Sequence, residues 1–248
     1  MTLFLAFMCL LVGFLCGATS IGGILLIPAI QYCADMPLAL ASGTALCSFF
    51  FTAAWGTYLH WKRGNLERSM VLPQCLGAAV FGCLGALAKA IVGNSALNAI
   101  LAVLIIISGA GALRQPRSLS SMSTERGRFR YLLFVGCFVG FLAGLTGMGG
   151  PVLSIPMQII MGFAPFAAVA AAQPFQMFAC LSGSAGNIIL DMIDWVVAML
   201  SVVLQGMGVW LGIWAASFLN TSMLKKCIAA MCIGTGVMML LRQAGLFS

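Results

Sequence analysis

The chain has 248 residues, of which 62% are hydrophobic and 7% charged, with a formal net charge of +7 and a mean hydropathy of +1.11. Soluble domains carry about a quarter charged residues, so 12 Lys+Arg and 5 Asp+Glu cannot solvate a globular surface of this size. The composition excludes a soluble enzyme, a nucleic-acid binder and a secreted disulfide scaffold, and describes an all-α polytopic membrane protein.

In chain order, the first element is unusual. Residues 2–34 form a run of 33 without a charge, whereas one crossing needs about 20 apolar residues and two need about 40. Gly22-Gly23 stand near its middle and Pro28 follows. Glycine and proline together stop a helix and restart one, so a broken, re-entrant hairpin is expected, tolerated at membrane depth only where protein or a wet cavity surrounds it. The run is apolar from Met1 and the first basic residue is Lys62. It lacks the basic n-region of a signal peptide and reads as retained structure. Three ordinary spans follow at about 37–60, 69–88 and 96–113. Residues 114–130 (RQPRSLSSMSTERGRFR) form a connecting loop with five arginines and one glutamate. A second odd element, 131–163, carries Gly149-Gly150 with Pro151 and Pro156. Three further ordinary spans lie at about 164–188, 195–219 and 223–241. The expected organisation is a first transmembrane repeat (1–113), the basic loop (114–130) and a second repeat (131–248).

The two halves resemble each other. Shifted by 127 positions, Gly13–Gly23 lies over Gly140–Gly150 with seven of eleven residues identical: Gly, Phe, Leu, Gly, Thr, Gly and Gly. The same shift places Gln31 over Gln158 and Gly56 over Gly183. Hairpins that return to their own side leave three crossings per half, which makes the halves inverted. The charges agree. Loop 61–68 carries Lys62, Arg63, Arg68 and Glu67, net +2, while its counterpart 188–194 carries Asp191 and Asp194, net −2. An inverted arrangement puts ten Lys/Arg on one side against two, and parallel halves give nine against three. Basic loops mark the cytoplasm, so the arginine loop is expected there and the termini outside.

Enzyme chemistry finds no foothold. His60, at the end of a span, is the only histidine, so no HExxH site or histidine metal cluster can be built. No GxxxxGK[ST] occurs, and no carboxylate pair lies within an apolar span. The ten cysteines form no CxxC pair, mostly sit in apolar spans and read as reduced packing residues. No metal and no cofactor is expected. The carboxylates Asp35, Glu67, Glu125, Asp191 and Asp194 all stand near span ends. No buried acid is therefore expected to carry protons, leaving facilitated exit or co-transport of a protonated substrate.

The glycine-rich tips carry the chemistry. If Gly22, Gly23, Gly149 and Gly150 mark chain breaks near the midplane, the short arms that follow present unpaired N–H groups and the positive end of the helix dipole. Such a terminus binds anions without a buried cation. Thr19, Ser20 and Thr146 add hydroxyl donors, and Gly147 lets a ligand approach the backbone. Gln31, Gln158, Gln173 and Asn187 either line the same cavity or bridge helices. The GxxxG pairs Gly13/Gly17, Gly136/Gly140, Gly140/Gly144 and Gly208/Gly212 read as packing sites.

Gly-x-Thr-x-x-Gly-Gly followed by an apolar run and Pro, present in both halves, resembles the TauE/SafE sulfite exporter family over nearly the whole chain apart from 114–130. The start of the second element, Ser42-Gly43-Thr44, is similar too. The chain departs from the family pattern at Ile24 and Pro151, where a third glycine is usual, and at Ala45. The resemblance implies bacterial inner-membrane transport of a sulfur-containing anion such as sulfite, thiosulfate, taurine or another sulfonate. The implied partners are a small anionic substrate and the lipid bilayer, with a homodimer left open and no nucleic acid. A non-transporting scaffold and a carrier for another small anion or a metal ion are the alternatives, the last disfavoured by the scarcity of His and carboxylate ligands.

Overall fold

The computed structural model describes residues 3–88, 102–103, 105–107, 109–111, 125–146, 150–189 and 191–243. Among them every regular element is a helix. The helices are α1 (Leu3–Thr19), α2 (Gly23–Cys33), α3 (Leu38–Lys62), α4 (Arg68–Ala88), α5 (Glu125–Thr146), α6 (Pro151–Ile160), α7 (Pro165–Ile189), α8 (Trp195–Ala216) and α9 (Thr221–Gln243). The described residues between 102 and 111 are also helical, and Gly109 packs against Cys232 of α9. Helices α5, α7 and α8 are long and apolar enough to cross a membrane. Helices α3, α4 and α9 match them in length, at 25, 21 and 23 residues. In α3 the apolar character is diluted by polar residues that face inward: Ser42, Thr44, Ser48, Thr52 and His60 are all buried.

Each odd element is two helices, of 17 and 11 residues in the first and 22 and 10 in the second. The first break begins at Ser20, which adopts a left-handed φ of 56°. Thr19 Oγ1 accepts the N–H of Ile21 at 3.2 Å, replacing a helical bond with a local one. The chain then doubles back: a methyl added to Gly22 would lie 2.9 Å from the Val12 carbonyl and 3.0 Å from Cys16 Sγ, both on α1. Gly150 sits likewise against Val139 of α5, and Pro151 opens α6 at a position where its missing N–H costs nothing.

The predicted loop 114–130 needs one correction. Residues 125–130 belong to α5, whose first turn holds Glu125; residues 112–124 lie outside the described set. A polar stretch without apolar periodicity reads as loop, but the end of a long helix held by side chains distant in sequence need not be apolar. Arg128 fixes this turn, 3.3 Å from Glu67 and 5.2 Å from the centre of the Phe163 ring.

Glycine lets the long helices approach backbone to backbone. Methyls at Gly13, Gly17, Gly208 or Gly212 would collide with the main chain across the α1–α8 contact, and methyls at Gly77, Gly85, Gly136 or Gly140 across the α4–α5 contact. In both pairs the residue numbers rise together, so the partners run parallel. Helices α3 and α7 meet in the opposite sense: Gly56 touches Gln173, Leu46 touches Gly183, and Gly43 touches Asn187 and Met192. They are antiparallel.

The ends differ in charge. Arg63 Nη1 donates to the Ile213 carbonyl at 3.3 Å and Arg128 pairs with Glu67. Loop 63–67, the start of α5 and the α8–α9 turn therefore share one end, along with Lys62, Arg68, Arg126, Arg130, Lys225 and Lys226. Asp35, Asp191 and Asp194 occupy the other, where the Asp194 N–H donates to Thr44 Oγ1 at 3.0 Å.

Candidate functional site

Both chain reversals meet α7. Ser20 Oγ donates to the Val169 carbonyl at 3.0 Å, and Gln173 Nε2 donates to Ser20 Oγ at 3.0 Å and to the Cys16 carbonyl at 2.9 Å. From the second reversal, Gly150 lies against the Phe175 ring; a methyl there would come 2.6 Å from Cζ. Val169 and Phe175 are six residues apart, about 9 Å along a helix. Pro174 stands between these contacts inside α7 and removes one backbone donor. Ile21 shares one buried cluster with Val152, Leu153, Ile155 and Phe175, so apolar side chains fill the space where the reversals meet.

Both short helices start without a side-chain cap, from Gly22 in α2 and Gly150 in α6. Leu25 N–H reaches back to the Gly22 carbonyl at 3.1 Å, and Leu153 and Ser154 N–H reach the Gly150 carbonyl at 3.2 and 3.1 Å. The earlier donors of each first turn are those a helix leaves to outside partners, and the dipole makes that end electropositive.

Two of the three hydroxyls expected as donors, those of Thr19 and Ser20, are engaged by the protein. Thr19 Oγ1 bonds the Leu15 carbonyl at 2.9 Å besides accepting from Ile21, and Ser20 joins the first tip to α7. Thr146 closes α5. Gly147 and Gly149 lie outside the described residues, and Gly23 begins α2. Gln31 is half-buried in the last turn of α2. Gln158 is fully buried and exchanges two hydrogen bonds with Gln74 of α4, at 3.1 and 3.4 Å, so it bridges α6 to α4. Asn187 Nδ2 bonds the Gly183 carbonyl within α7 at 3.2 Å.

Other buried polar groups escaped the sequence reading. Gln74, Gln176 and Gln205 are each at most 3% exposed, and Gln205 Nε2 donates to Ser48 Oγ at 3.2 Å. The signal that marks Gln158 and Gln173, an amide inside an apolar span, marks these equally. His60 is 1% exposed, although a histidine ahead of Trp61-Lys62-Arg63 reads as interfacial. Among the described residues no group of three His, Cys, Asp or Glu side chains is placed to hold a metal ion. A groove of about 720 Å³ lies elsewhere, on the outer face between α3 and α8, lined by Phe51, Trp55, Val203 and Trp210 among others. Its apolar walls suit an acyl chain and not an anion.

Among the described residues the chain is an all-helical bundle with several long apolar helices, the form of a multi-pass membrane protein. The chain belongs to the TauE/SafE family: the model described as "Sulfite exporter TauE/SafE" matches residues 5–239. It is 23% identical over 232 residues to the "Probable membrane transporter protein YunE" of Bacillus subtilis (strain 168), covering 84% of each chain. No solved structure matches it.

Proposed function

We propose that this protein is a secondary transporter or facilitator that moves a small sulfur-containing anion (sulfite, thiosulfate or an organosulfonate) across the bacterial inner membrane. The anion is held between the uncapped N-termini of α2 and α6. The observation that carries this reading is the convergence of both on one short stretch of α7 in an interior without a buried cation among the described residues. Neutral N–H donors hold an anion and still release it, whereas a full buried ion pair is expensive to break. Ile21 and Phe175 occupy the meeting point, so the anion enters as Phe175 withdraws from Gly150.

Inverted repeats support the transport reading. Asp35 and Gly162, and Gly64 and Asp191, all have left-handed φ and stand 127 residues apart. The closing bonds repeat at the same offset: Met36 N–H to Gln31 O with Phe163 N–H to Gln158 O, and Asn65 N–H to His60 O with Met192 N–H to Asn187 O. Contacts repeat with the halves exchanged, Gly13–Gln205 as Gly140–Ala78 and Gly212–Phe14 as Gly85–Phe141. Equivalent helices α3 and α7 run antiparallel, which a two-fold axis along the membrane normal cannot produce and one in the membrane plane does. The basic end then faces the cytoplasm.

Proteoliposomes test the function. Saturable sulfite, thiosulfate or sulfonate flux, weakened by Gly150→Ala, is expected. Gly150 has an ordinary helical φ of −63°, so alanine acts there by crowding, chiefly of Phe175 and at 3.0 Å of Val139. Flux no faster than in empty vesicles for all three anions overturns the proposal.

A further inference from the structure

Five buried side-chain atoms among the described residues have no hydrogen-bond partner, and two of them are the ring nitrogens of His60. The others belong to Ser154, Ser184 and Gln205. Leaving one such group unsatisfied costs about 1–3 kcal/mol, and the large majority of buried side-chain polar atoms are bonded. The ring instead meets the edge of Phe166 of α7, with centroids 5.9 Å apart.

Its position is informative. Thr44, Ser48, Thr52, Gly56 and His60 recur every four residues along α3 and all are buried. Such a stripe slants around the helix, meeting Asp194 at Thr44, Gln205 at Ser48, Gln173 at Gly56 and Phe166 at His60. Gln173 is the amide that grips Ser20. His60 thus stands one helical turn, about 6 Å along the axis, from Gly56, which packs against the Gln173 that holds the first tip. On its other side Arg63 begins the basic end.

We propose that His60 carries the proton of the transport cycle; the inference rests on the transporter reading above. A neutral ring nitrogen accepts one proton from water at the basic end. The imidazolium, which does not touch the tips, offsets the charge of one anion without forming an ion pair with it. When access changes sides, the anion leaves and the same proton returns to water from the same nitrogen. No other bond forms or breaks, and a singly charged anion moves without net charge. Few groups compete. On α3 the other ionisable groups are Cys47, Tyr58 and Lys62, with Arg63 just beyond its end; α7 carries only Cys180 as an ionisable group, and α8 carries none. Among its described side chains helix α2 contributes Cys33, beside the opposite end of α3. The carboxylates placed by the structure all lie at the two ends of the bundle.

The test uses methanesulfonate, which stays ionised at every working pH and cannot carry its own proton, beside sulfite. One pH unit across the vesicle is worth about 1.4 kcal/mol, or tenfold accumulation of a singly charged anion moved with one proton. The full chain is expected to approach that ratio and His60→Gln to fall to unity. Because His60 is the only histidine, nitrogen-15 histidine labelling of the unaltered chain gives one pair of imidazole signals. Saturating sulfite is expected to move them toward the protonated form. Anion flux in the full chain without gradient-driven accumulation, unchanged accumulation in His60→Gln, or imidazole signals indifferent to sulfite in a preparation that transports it, would each overturn the role of His60 and leave the transporter standing. Absence of flux for both anions overturns the transporter reading as well.

Discussion

Gln173→Leu removes the amide that ties the first reversal to α7 while nearly keeping its volume. The amide is 1% exposed and donates two hydrogen bonds, to the Cys16 carbonyl at 2.9 Å and Ser20 Oγ at 3.0 Å. Neither acceptor is left bare. The Cys16 carbonyl keeps the Ser20 N–H at 2.8 Å, and Ser20 Oγ still donates to Val169. The cost is therefore that of two neutral bonds, not of two orphaned groups. Interhelical bonds in membranes average about 0.6 kcal/mol and reach about 1.7, so the pair is worth about 1–2 kcal/mol. If the tip binds the anion, that energy falls on affinity as a five- to thirtyfold rise in KM for sulfite counterflow. Gly56→Ala is a second probe: its methyl would come 2.6 Å from Gln173 Oε1, displacing the amide without deleting it, and it should shift KM the same way by less. A Gln173→Leu protein that melts earlier but keeps its KM would refute the reasoning, because the amide would then serve packing alone.

Three other expectations follow from the geometry. Gly85→Ala and Gly212→Ala should destabilise alike, by about 1–3 kcal/mol of overpacking each, since both would drive a methyl into a facing main chain; Gly206→Ala and Gly234→Ala, with nothing within 4 Å, should lie within about 0.5 kcal/mol of the unaltered chain in thermal melts. In a double-mutant cycle, Gln74→Leu and Gln158→Leu should each cost about 1–3 kcal/mol by orphaning the partner's amide oxygen, each Nε2 keeping its own backbone carbonyl, and the double variant should cost less than their sum; strict additivity would deny the pair. Reporter fusions ending at Arg63 and at Asp191 should read opposite compartments, Arg63 cytoplasmic, and a shared compartment would refute the inverted arrangement.

Much of the bundle is legible in the sequence because the bilayer sets element length and excludes charge. The breaks near residues 20 and 150 follow from Gly-Gly beside Pro. Partnership is the harder property to read. Nothing local in Gln158 says whether it faces a ligand or Gln74, and nothing local in His60 says that α7 covers it; both depend on which helix arrives from the other half. The helical turn at Glu125–Arg130 is likewise invisible to hydropathy, since its anchors, Glu67 and Phe163, are 61 and 35 positions from Arg128.

On the inverted-repeat reading, the same offset that aligns the halves exposes how they differ. Gln173 corresponds to Leu46 and Phe175 to Ser48, so one tip meets an amide where the other's equivalent wall is apolar. The first tip is fixed by directed bonds from Ser20 and Gln173 that lose strength on small displacements. The second touches Phe175 through van der Waals contact, which has no preferred direction and tolerates sliding. Two related reversals on one helix are thus held by different forces, one stiff and one compliant. If the proposed transport proceeds by alternating access, this difference would let one tip move before the other. The compliant side is where α6 begins, and Pro174, which deprives α7 of a backbone bond beside Phe175, softens the surface that this tip must leave.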